Sequence, residues 1–493
     1  MIDISLLKTL SQAYHGIADS AYYTLSEDYL LRSWADLRAG VVNKKSGVIT
    51  ALNKTDAQAI ALCCGSVNIL LPAVTDQLRA RVYFLAEKGI VRRCEFGAEL
   101  QPIQREVRYP VRHFTGAKWA ITGRCNLRCK HCFLSAPHAK FGELPHEDCI
   151  KIIDGMSECG ITRLILTGGE PLLRSDFLDL VDYMTAKGIV LSRIATNGIL
   201  VNERLLDEFD DRGLHPGFNI SFDGVGWHDW LRGLDGAEAQ LMKKFELLSK
   251  RGFNTGSAMT IHKLNLHTMR DSVNALANVG CQTVIMNRVT NFGEWEKYGK
   301  DCGVTPQELF DAYLEYIPQY FHDGMPVRIV MNRFFSCDKG SKQFKIMPYK
   351  PCKAKERDYV CQDINSSLFI SADGHVMPCL AVSSVEELHK DYPSVVTYGL
   401  KHCVTCEEYR RYADIKYQEY LEHNPQCQAC RYAEYCRGGC RAEALDFDIT
   451  DYLGRDIPNC VFFHQDYTKK ILSAVAAAAP DAECLNLPEN LEG

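Results

Sequence analysis

The stretch that decides the fold reads Trp119-Ala-Ile-Thr-Gly-Arg-Cys125-Asn-Leu-Arg-Cys129-Lys-His-Cys132. It begins as a short apolar strand and ends in three cysteines, so a strand runs directly into a candidate metal-binding loop. Three thiolates on one loop can hold three irons of a cubane 4Fe–4S cluster and leave the fourth iron open. A zinc-like cysteine cluster is the alternative that the spacing alone leaves open.

The region that follows this loop alternates strand-like runs with helical segments. Segments 147–159 and 177–187 have helical periodicity. Strands that alternate with helices predict βαβ units and a parallel sheet. Six such units predict an α/β fold with a partial (β/α)6 TIM-like barrel, whose active face lies at the carboxyl ends of the strands. The predicted strands are Trp119–Thr122, Arg163–Thr167, Val190–Thr196, Gly217–Phe222, Thr255–Ile261 and Thr283–Val289.

The N-terminal region has a different pattern, with short strands first and helices after them. Two runs rich in β-branched residues flank a turn at 44–47 and predict a hairpin. Two helices and a returning strand follow, which predicts a winged-helix-like domain. The predicted elements are strands 41–43 and 48–52, a helix to Cys63 capped by Thr55, a helix to Lys88 opened by Pro72 and Thr75, and strand 90–93.

Composition narrows the class of protein. The chain has 493 residues, a net charge of −6 and 22 cysteines, with no basic stripe. This disfavours nucleic acid as the main partner. We find neither a signal peptide nor a stretch long enough to span a membrane, and we expect a cytoplasmic protein that does not associate with membranes. In that compartment, dense cysteines indicate metal ligation rather than disulfides.

Three further strand ends carry polar motifs. The second predicted strand ends in Thr167-Gly-Gly-Glu-Pro171, the third in Thr196-Asn-Gly198, and the fourth in Ser221-Phe-Asp-Gly224. Paired glycines allow close approach of a ligand to the backbone, and the neighbouring glutamate can accept from an ammonium group. The aspartate of the fourth motif offers a carboxylate that can accept two hydrogen bonds at once. Plain structural turns are the alternative.

Taken together, residues 118–289 resemble the radical S-adenosylmethionine (SAM) superfamily. The resemblance implies that Cys125, Cys129 and Cys132 bind a 4Fe–4S cluster whose open iron chelates SAM. Reductive cleavage of SAM would then yield a 5′-deoxyadenosyl radical. His131 departs from the aromatic residue often found before the third cysteine. The implied SAM contacts are Gly168, Gly169, Glu170, Pro171, Thr196, Asn197, Ser221, Asp223 and Arg232.

The second group of cysteines lies beyond residue 336, where regular patterning breaks down. Its spacing is Cys427-x2-Cys430-x5-Cys436-x3-Cys440, and Cys460 follows. Upstream, Cys361 is separated by twelve residues from Gly374, which is followed after four residues by Cys379. A segment with so little regular structure can be held by bound metal. A zinc ribbon is the alternative reading.

This spacing resembles the SPASM extension of radical SAM enzymes. The resemblance implies two auxiliary 4Fe–4S clusters, three in all. Either Cys337 or the pair Cys403 and Cys406 could replace Cys352 as a ligand, or the nearer cluster could lack a fourth thiolate. The implied ligands are Cys352, Cys361, Cys379 and Cys440 for the nearer cluster, and Cys427, Cys430, Cys436 and Cys460 for the farther one.

Such enzymes act mostly on peptides or proteins. The N-terminal domain resembles the PqqD-like recognition element, which binds a leader peptide as an added strand. A DNA-binding winged helix is the alternative, but the domain is not notably basic. We therefore predict a maturase of ribosomally made precursor peptides, with reduced flavodoxin or ferredoxin as electron donor. The predicted domains are 1–105 for leader recognition, 113–335 for the barrel, 336–466 for the auxiliary clusters, and 467–493 for a C-terminal helix and tail.

We favour an oxidative crosslink in the form of a cysteine thioether, and carbon–carbon crosslinking or epimerisation remain alternatives. Anaerobic sulfatase maturases, which make formylglycine, place an Asp directly after the cysteine that this chain follows with Leu380. An iron–sulfur scaffold or electron carrier is the non-enzyme alternative, and it gives no role to the SAM motifs. The sequence identifies no catalytic residue, precursor or oligomeric state.

Overall fold

The structure is a computed structural model that describes residues 3–16, 19–350, 352–389 and 391–488. Residues 489–493, the end of the predicted tail, lie outside the described residues. The chain divides into two compact units. One holds the described residues up to Gly116 with 153–164 and 182–192, and the other holds 117–152, 165–181 and the chain from Arg193 onward. No helix in the described ranges is long and apolar enough to cross a membrane.

The N-terminal part of the first unit contains two small sheets, and the predicted hairpin forms part of one of them. Strand β4 lies at one edge of a sheet ordered β4-β3-β2-β6, while β1 pairs with β5. Helices span Ile4–Ala13, Lys54–Leu62 and Asp76–Glu87. The strands are β1 (Tyr22–Leu25), β2 (Tyr29–Ser33), β3 (Gly40–Asn43), β4 (Ile49–Ala51), β5 (Val91–Cys94) and β6 (Val107–Arg108).

One predicted helix cap in this unit is wrong. The helix Lys54–Leu62 is capped by Asn53, whose side chain accepts a hydrogen bond from the Asp56 N–H, and Thr55 lies inside its first turn. Asparagine is among the best N-cap residues because its side-chain oxygen reaches the free amides of the first turn. The second cap is confirmed, since Thr75 accepts from the Leu78 N–H.

A sheet of twelve strands follows. Its order is β17-β16-β7-β8-β9-β10-β11-β12-β13-β14-β15-β18. The strands are β7 (Gly116–Ala120), β8 (Arg163–Thr167), β9 (Val190–Thr196), β10 (Gly217–Ser221), β11 (Thr255–Ile261), β12 (Thr283–Arg288), β13 (Arg328–Met331), β14 (Phe335–Cys337), β15 (Gln343–Ile346), β16 (Ser367–Ile370), β17 (Val376–Met377) and β18 (Glu483–Cys484).

The six predicted barrel strands are consecutive neighbours, β7 to β12, and pairing is parallel from β9 through β13. This confirms the α/β class. Strand β13 and the antiparallel β14 and β15 extend the sheet beyond the prediction. The helices that accompany the strands are His146–Glu158, Phe177–Ala186, Glu203–Asp211, His228–Arg232, Ala237–Lys250, Met269–Asn278, Gly299–Cys302 and Pro306–His322.

The cysteine-rich region is built mainly from short helices, as its irregular sequence predicts. These are Gln362–Ser366, Glu386–His389, Val395–Tyr398, Leu400–Cys403, Glu407–Ala413, Tyr417–His423, Pro425–Gln428, Ala433–Cys436, Arg441–Phe447 and Ile457–His464. The longer helix Tyr467–Ala478 follows, and β18 then pairs with β15.

Candidate active site and cysteine clusters

The loop after β7 brings its three cysteines together. Burial, with smaller contributions from Cys129 and Cys132, raises the pKa of the Cys125 thiol to about 11. Burial and the proximity of Cys129 likewise raise the pKa of Cys132 to about 11. Thiolates held this close repel one another until a cation lies between them. The donor set therefore fits an iron cluster with three protein ligands.

The spacing of these thiols argues against a zinc site. Thiolates that bind one zinc at bonds of about 2.3 Å lie only about 4 Å apart. Within the described ranges, one group of three or more candidate ligand atoms lies entirely within 4.8 Å, and it contains no cysteine. The cysteine sets are therefore spread more widely than a single zinc requires, as a cubane cluster needs.

The glycine pair at the end of β8 rests against this loop. Gly168 has φ +146°, and a Cβ on it would collide with the carbonyl of Thr122. A Cβ on Gly169 would collide with the carbonyl of Arg124. The Gly169 N–H donates to the Thr122 carbonyl at 2.8 Å, and the next N–H donates to Arg124 at 2.8 Å. Only glycine permits this contact, which fixes the start of the cysteine loop.

Glu170 ties the ends of two strands together. Its carboxylate accepts from the Thr196 hydroxyl at 2.8 Å, the Asn197 N–H at 2.8 Å and the Leu172 N–H at 3.1 Å. The residue is fully buried, and burial raises its pKa to about 7. Its oxygens thus link β8 to β9. Pro171, which is also buried, opens the following 3-10 turn.

Asn197 extends from the end of β9 to the cysteine loop. Its side-chain Nδ2 donates to the side-chain Oδ1 of Asn126 at 2.8 Å and lies 3.9 Å from the Cys125 sulfur. Ser221 is the last residue of β10 and is partly exposed. These two predicted SAM contacts therefore lie at adjacent strand ends.

Asp223 is fully buried behind the same loop. One carboxylate oxygen accepts from the Thr260 N–H at 2.9 Å, and the other accepts from Arg232 Nε at 2.6 Å. Arg232 Nη1 in turn lies 3.6 Å from the Cys129 sulfur. Burial alone raises the pKa of Asp223, but the Arg232 guanidinium holds that pKa well below its usual range. Asp223 therefore reaches the loop through Arg232, and its direct contact with SAM stays a prediction.

Three of the four cysteines predicted for the nearer auxiliary cluster converge. Burial, then the neighbouring Cys440 and Cys361 thiols, raise the pKa of Cys379 to about 12. Cys352 is exposed, and its sulfur accepts from Arg437 Nη2 at 3.2 Å. The structure thus shows Cys352 bound to an arginine.

The suggested substitutes for Cys352 make contacts of their own. The Cys337 thiol is buried and donates to the Ser341 carbonyl at 3.1 Å. Cys403 is also buried, and the Cys406 thiol donates to its carbonyl at 3.3 Å. These contacts are local and mark neither substitute as a cluster ligand.

The four cysteines predicted for the farther auxiliary cluster also converge. Burial, then the Cys436, Cys427 and Cys430 thiols, raise the pKa of Cys460 to about 11. The Tyr420 hydroxyl lies 3.3 Å from the Cys427 sulfur. This set offers four thiolates, the number that a fully ligated 4Fe–4S cluster takes.

Sequence reasoning missed a buried ion network. Arg288, the last residue of β12, donates to Glu443 at 2.6 Å and to Asp446. Both acids lie on the helix Arg441–Phe447, which begins directly after Cys440. The network anchors the helix that follows this cysteine to a barrel strand. Two features of the sequence could have indicated this network. One is an arginine near a predicted strand end, and the other is a pair of acidic residues three positions apart after a motif cysteine.

The profile of the Radical SAM superfamily matches residues 119–276, which contain the cysteine loop and all three polar strand ends. The chain is a radical SAM enzyme. Its domain binds SAM and a 4Fe–4S cluster, and Cys125, Cys129 and Cys132 are the thiolates that could hold that cluster.

Relatives of this radical SAM enzyme include a heme synthase and a bacteriocin biosynthesis protein. The AdoMet-dependent heme synthase of Nitratidesulfovibrio vulgaris is 26% identical over 66% of this chain and 87% of its own. The antilisterial bacteriocin subtilosin biosynthesis protein AlbA of Bacillus subtilis is 25% identical over 67% and 68%. Streptococcus suis SuiB, solved with its precursor peptide SuiA, shares the fold at TM-score 0.61 and 15% identity, over 86% of this chain and 96% of SuiB.

Proposed function

We propose that this radical SAM enzyme matures a ribosomally made precursor peptide and holds three 4Fe–4S clusters. The observation that carries the proposal is the convergence of seven cysteines, in sets of three and four, beyond the radical SAM domain. The kinship with AlbA and the fold shared with SuiB support a peptide substrate. The sequence match to the heme synthase covers 66% of this chain, whereas the structural match to SuiB covers 86% of it.

When bound, SAM and its cluster would supply the 5′-deoxyadenosyl radical that removes a hydrogen atom from the peptide. The chain's own residues position that chemistry. The backbone of Gly168–Pro171, with Asn197 and Ser221, would face the SAM molecule from adjacent strand ends. Asp223 would orient Arg232, which lies against the Cys129 sulfur. We assign Glu170 to holding β8 and β9 together beneath this site.

The product that we propose is a thioether. A carbon of an acceptor residue loses a hydrogen atom, and a cysteine sulfur of the same peptide bonds to that carbon. The thiol proton would go to solvent, and auxiliary clusters held by the seven converging cysteines would accept the one further electron, since the potentials of such clusters cover a wide range. Each link therefore removes two hydrogens. Leu380, which stands where sulfatase maturases have an Asp, argues against a formylglycine product.

Mass spectrometry of the reacted precursor, before and after thiol alkylation, tests the proposed product. We expect a loss of about 2 Da per link, the mass of two hydrogens, and a cysteine that no longer alkylates even after a disulfide reductant. If every cysteine still alkylates, the thioether is excluded. The same mass loss with free thiols would indicate a carbon–carbon link. Unchanged mass with solvent deuterium at an alpha carbon would indicate epimerisation.

We further propose that residues 1–105 bind the leader peptide at the free edge of β4. The Asn43 N–H donates to Val48, and the Leu52 N–H donates to Ala39. Because antiparallel pairs alternate, Thr50 faces β3, and the N–H groups of Ile49 and Ala51 point away from the sheet. An edge of this kind can accept an added strand.

The variant Ala51→Pro tests this edge, because proline removes the outward N–H and leaves the β3 pairing intact. We expect weaker binding of the full precursor in fluorescence anisotropy, with SAM cleavage retained. Ala51→Val, which keeps the N–H, is the matched control. Equal affinity in both variants would exclude this edge.

We also propose domain boundaries at 113–335, 336–466 and 467–493. The proposal further includes a cytoplasmic location and reduced flavodoxin or ferredoxin as the electron donor.

A further inference from the structure

A cluster of three side chains outside both cysteine sets has the composition of a metal site. One ligand atom each from Asp373, His375 and His389 lies within 4.8 Å of the other two. Two imidazoles and one carboxylate form a donor set that binds divalent zinc or iron. His389 is buried, and its ring stacks on Phe141 at 4.6 Å. Sequence reasoning gave these residues no role.

Both imidazoles approach the Asp373 carboxylate, but only the His389 contact has hydrogen-bond geometry. His375 Nδ1 lies 3.2 Å from one Asp373 oxygen, and His389 Nε2 lies 2.9 Å from the other. Two ligands at about 2.1 Å from one tetrahedral zinc are separated by about 3.4 Å, so a small adjustment of these side chains would admit an ion. His375 Nδ1 is buried and, among the described residues, meets no hydrogen-bond partner of suitable geometry. An aligned imidazole–carboxylate hydrogen bond would have satisfied it.

The backbone holds Asp373 and His375 on one tight turn. Gly374 lies between them with φ +86°, a conformation that glycine adopts readily. The Ser371 hydroxyl donates to Asp373 and accepts from the His375 N–H at 3.0 Å. The turn joins β16 to β17, while His389 comes from the separate helix Glu386–His389. An ion here would tie the two together across the segment that carries Cys379.

We propose that Asp373, His375 and His389 bind a divalent transition-metal ion, distinct from the iron–sulfur clusters, that fixes the Cys379 segment. The small cavity beside His389, lined also by Thr122, Ser371 and Phe369, has room for about one water, with a volume of about 10 Å³. A substrate does not fit there, so the ion would be structural. The site is independent of which peptide product the enzyme makes.

The test uses the reconstituted holoenzyme, in which iron and sulfide occupy the cluster thiols, with Zn²⁺ as the probe. We expect one tightly held zinc per chain. Zinc X-ray absorption should show a nitrogen and oxygen shell at about 2.0 Å rather than sulfur at about 2.3 Å. A holoenzyme that binds no zinc, or binds it through sulfur, overturns the proposal whatever the variants do.

Variants then assign the ligands. We expect Asp373→Asn and the double variant His375→Gln/His389→Gln to weaken zinc binding by at least about 100-fold. Cleavage of SAM at the separate Cys125–Cys132 loop should be retained, which shows that the protein has folded. His423→Gln is the matched control, because His423 pairs with Asp451 at 3.0 Å and has no part in the three-ligand group. Zinc binding that survives both ligand variants would also overturn the assignment.

Discussion

The two cysteine-rich parts of this enzyme are built in opposite ways. The SAM loop places three cysteines within eight residues, directly after a sheet strand. Gly169 and Asn197 from neighbouring strand ends and Arg232 from a short helix support it. The auxiliary set instead gathers seven cysteines from residues 361–460, where they lie in or next to helices of four to eight residues or in the loops between them. Helices this short are marginal by themselves. The comparison teaches that the sheet positions the first site, whereas the second region depends on what its cysteines bind.

The largest expected effect comes from removing the SAM loop ligands. Replacing Cys125, Cys129 and Cys132 together by Ala should abolish 5′-deoxyadenosine formation, because the cluster loses all its protein ligands. Iron should fall by about a third, from about twelve to about eight per chain, since three cubane clusters hold four irons each. Cys302→Ala is the control and should keep both. Deoxyadenosine from the triple variant would contradict the assignment.

The next largest effect should come from removing all iron, which should change hydrogen exchange differently in the two regions. In the metal-free protein, hydrogen exchange should rise strongly across residues 352–460, where the proposed auxiliary clusters would supply much of the folding free energy. Strands β9–β12 should stay protected, because their apolar residues are buried without metal. Exchange mass spectrometry of the holoenzyme and metal-free protein makes the comparison. A uniform increase over both regions would mean that the sheet also depends on iron.

A smaller effect should follow when Arg232 loses its partner. Asp223→Asn keeps the shape but leaves Arg232 without a buried counter-charge, next to Cys129. Changes behind metal ligands typically cost about 10- to 100-fold in metal affinity or activity. We expect SAM cleavage to fall in that range while auxiliary iron is retained, as measured by product formation and Mössbauer spectroscopy. Asp207→Asn, at the exposed pair with Arg251, serves as the control. Full activity in Asp223→Asn would show that the ion pair is dispensable.

The smallest expected effect concerns Glu170. Burial raises its pKa from about 4.5 to about 7. The stability that protonated Glu170 contributes is therefore fully present below pH 4.5 and is lost as the pH rises through 7. The reason is that the unfolded chain releases this proton at a lower pH than the folded protein does. Glu170→Gln should lose less thermal stability than the wild type between pH 5 and pH 8. Melting curves of both proteins across this range test the sign, and parallel pH profiles would contradict it.

Local patterns were enough to locate most of the sheet and the cluster motifs. The predicted bounds of β8, β9 and β11 are those of the structure. Hydrophobic periodicity over neighbouring residues is enough to distinguish a buried strand from an amphipathic helix. The cysteine sets that converge are those that the spacing indicated. Strands β13–β18 were missed, since they are short and several lie in a region without regular patterning.

Side-chain direction was decided by contacts between distant parts of the chain. Cys352 turns to Arg437, 85 residues away, and Arg288 meets Glu443, 155 residues away. Glu170 and Asp223 both occupy predicted ligand motifs, yet their carboxylates bond to backbone and side chains of neighbouring strands. A buried carboxylate must find donors or a counter-charge wherever packing supplies them. Sequence spacing places such a residue at a strand end, but only the packed structure determines what its oxygens contact.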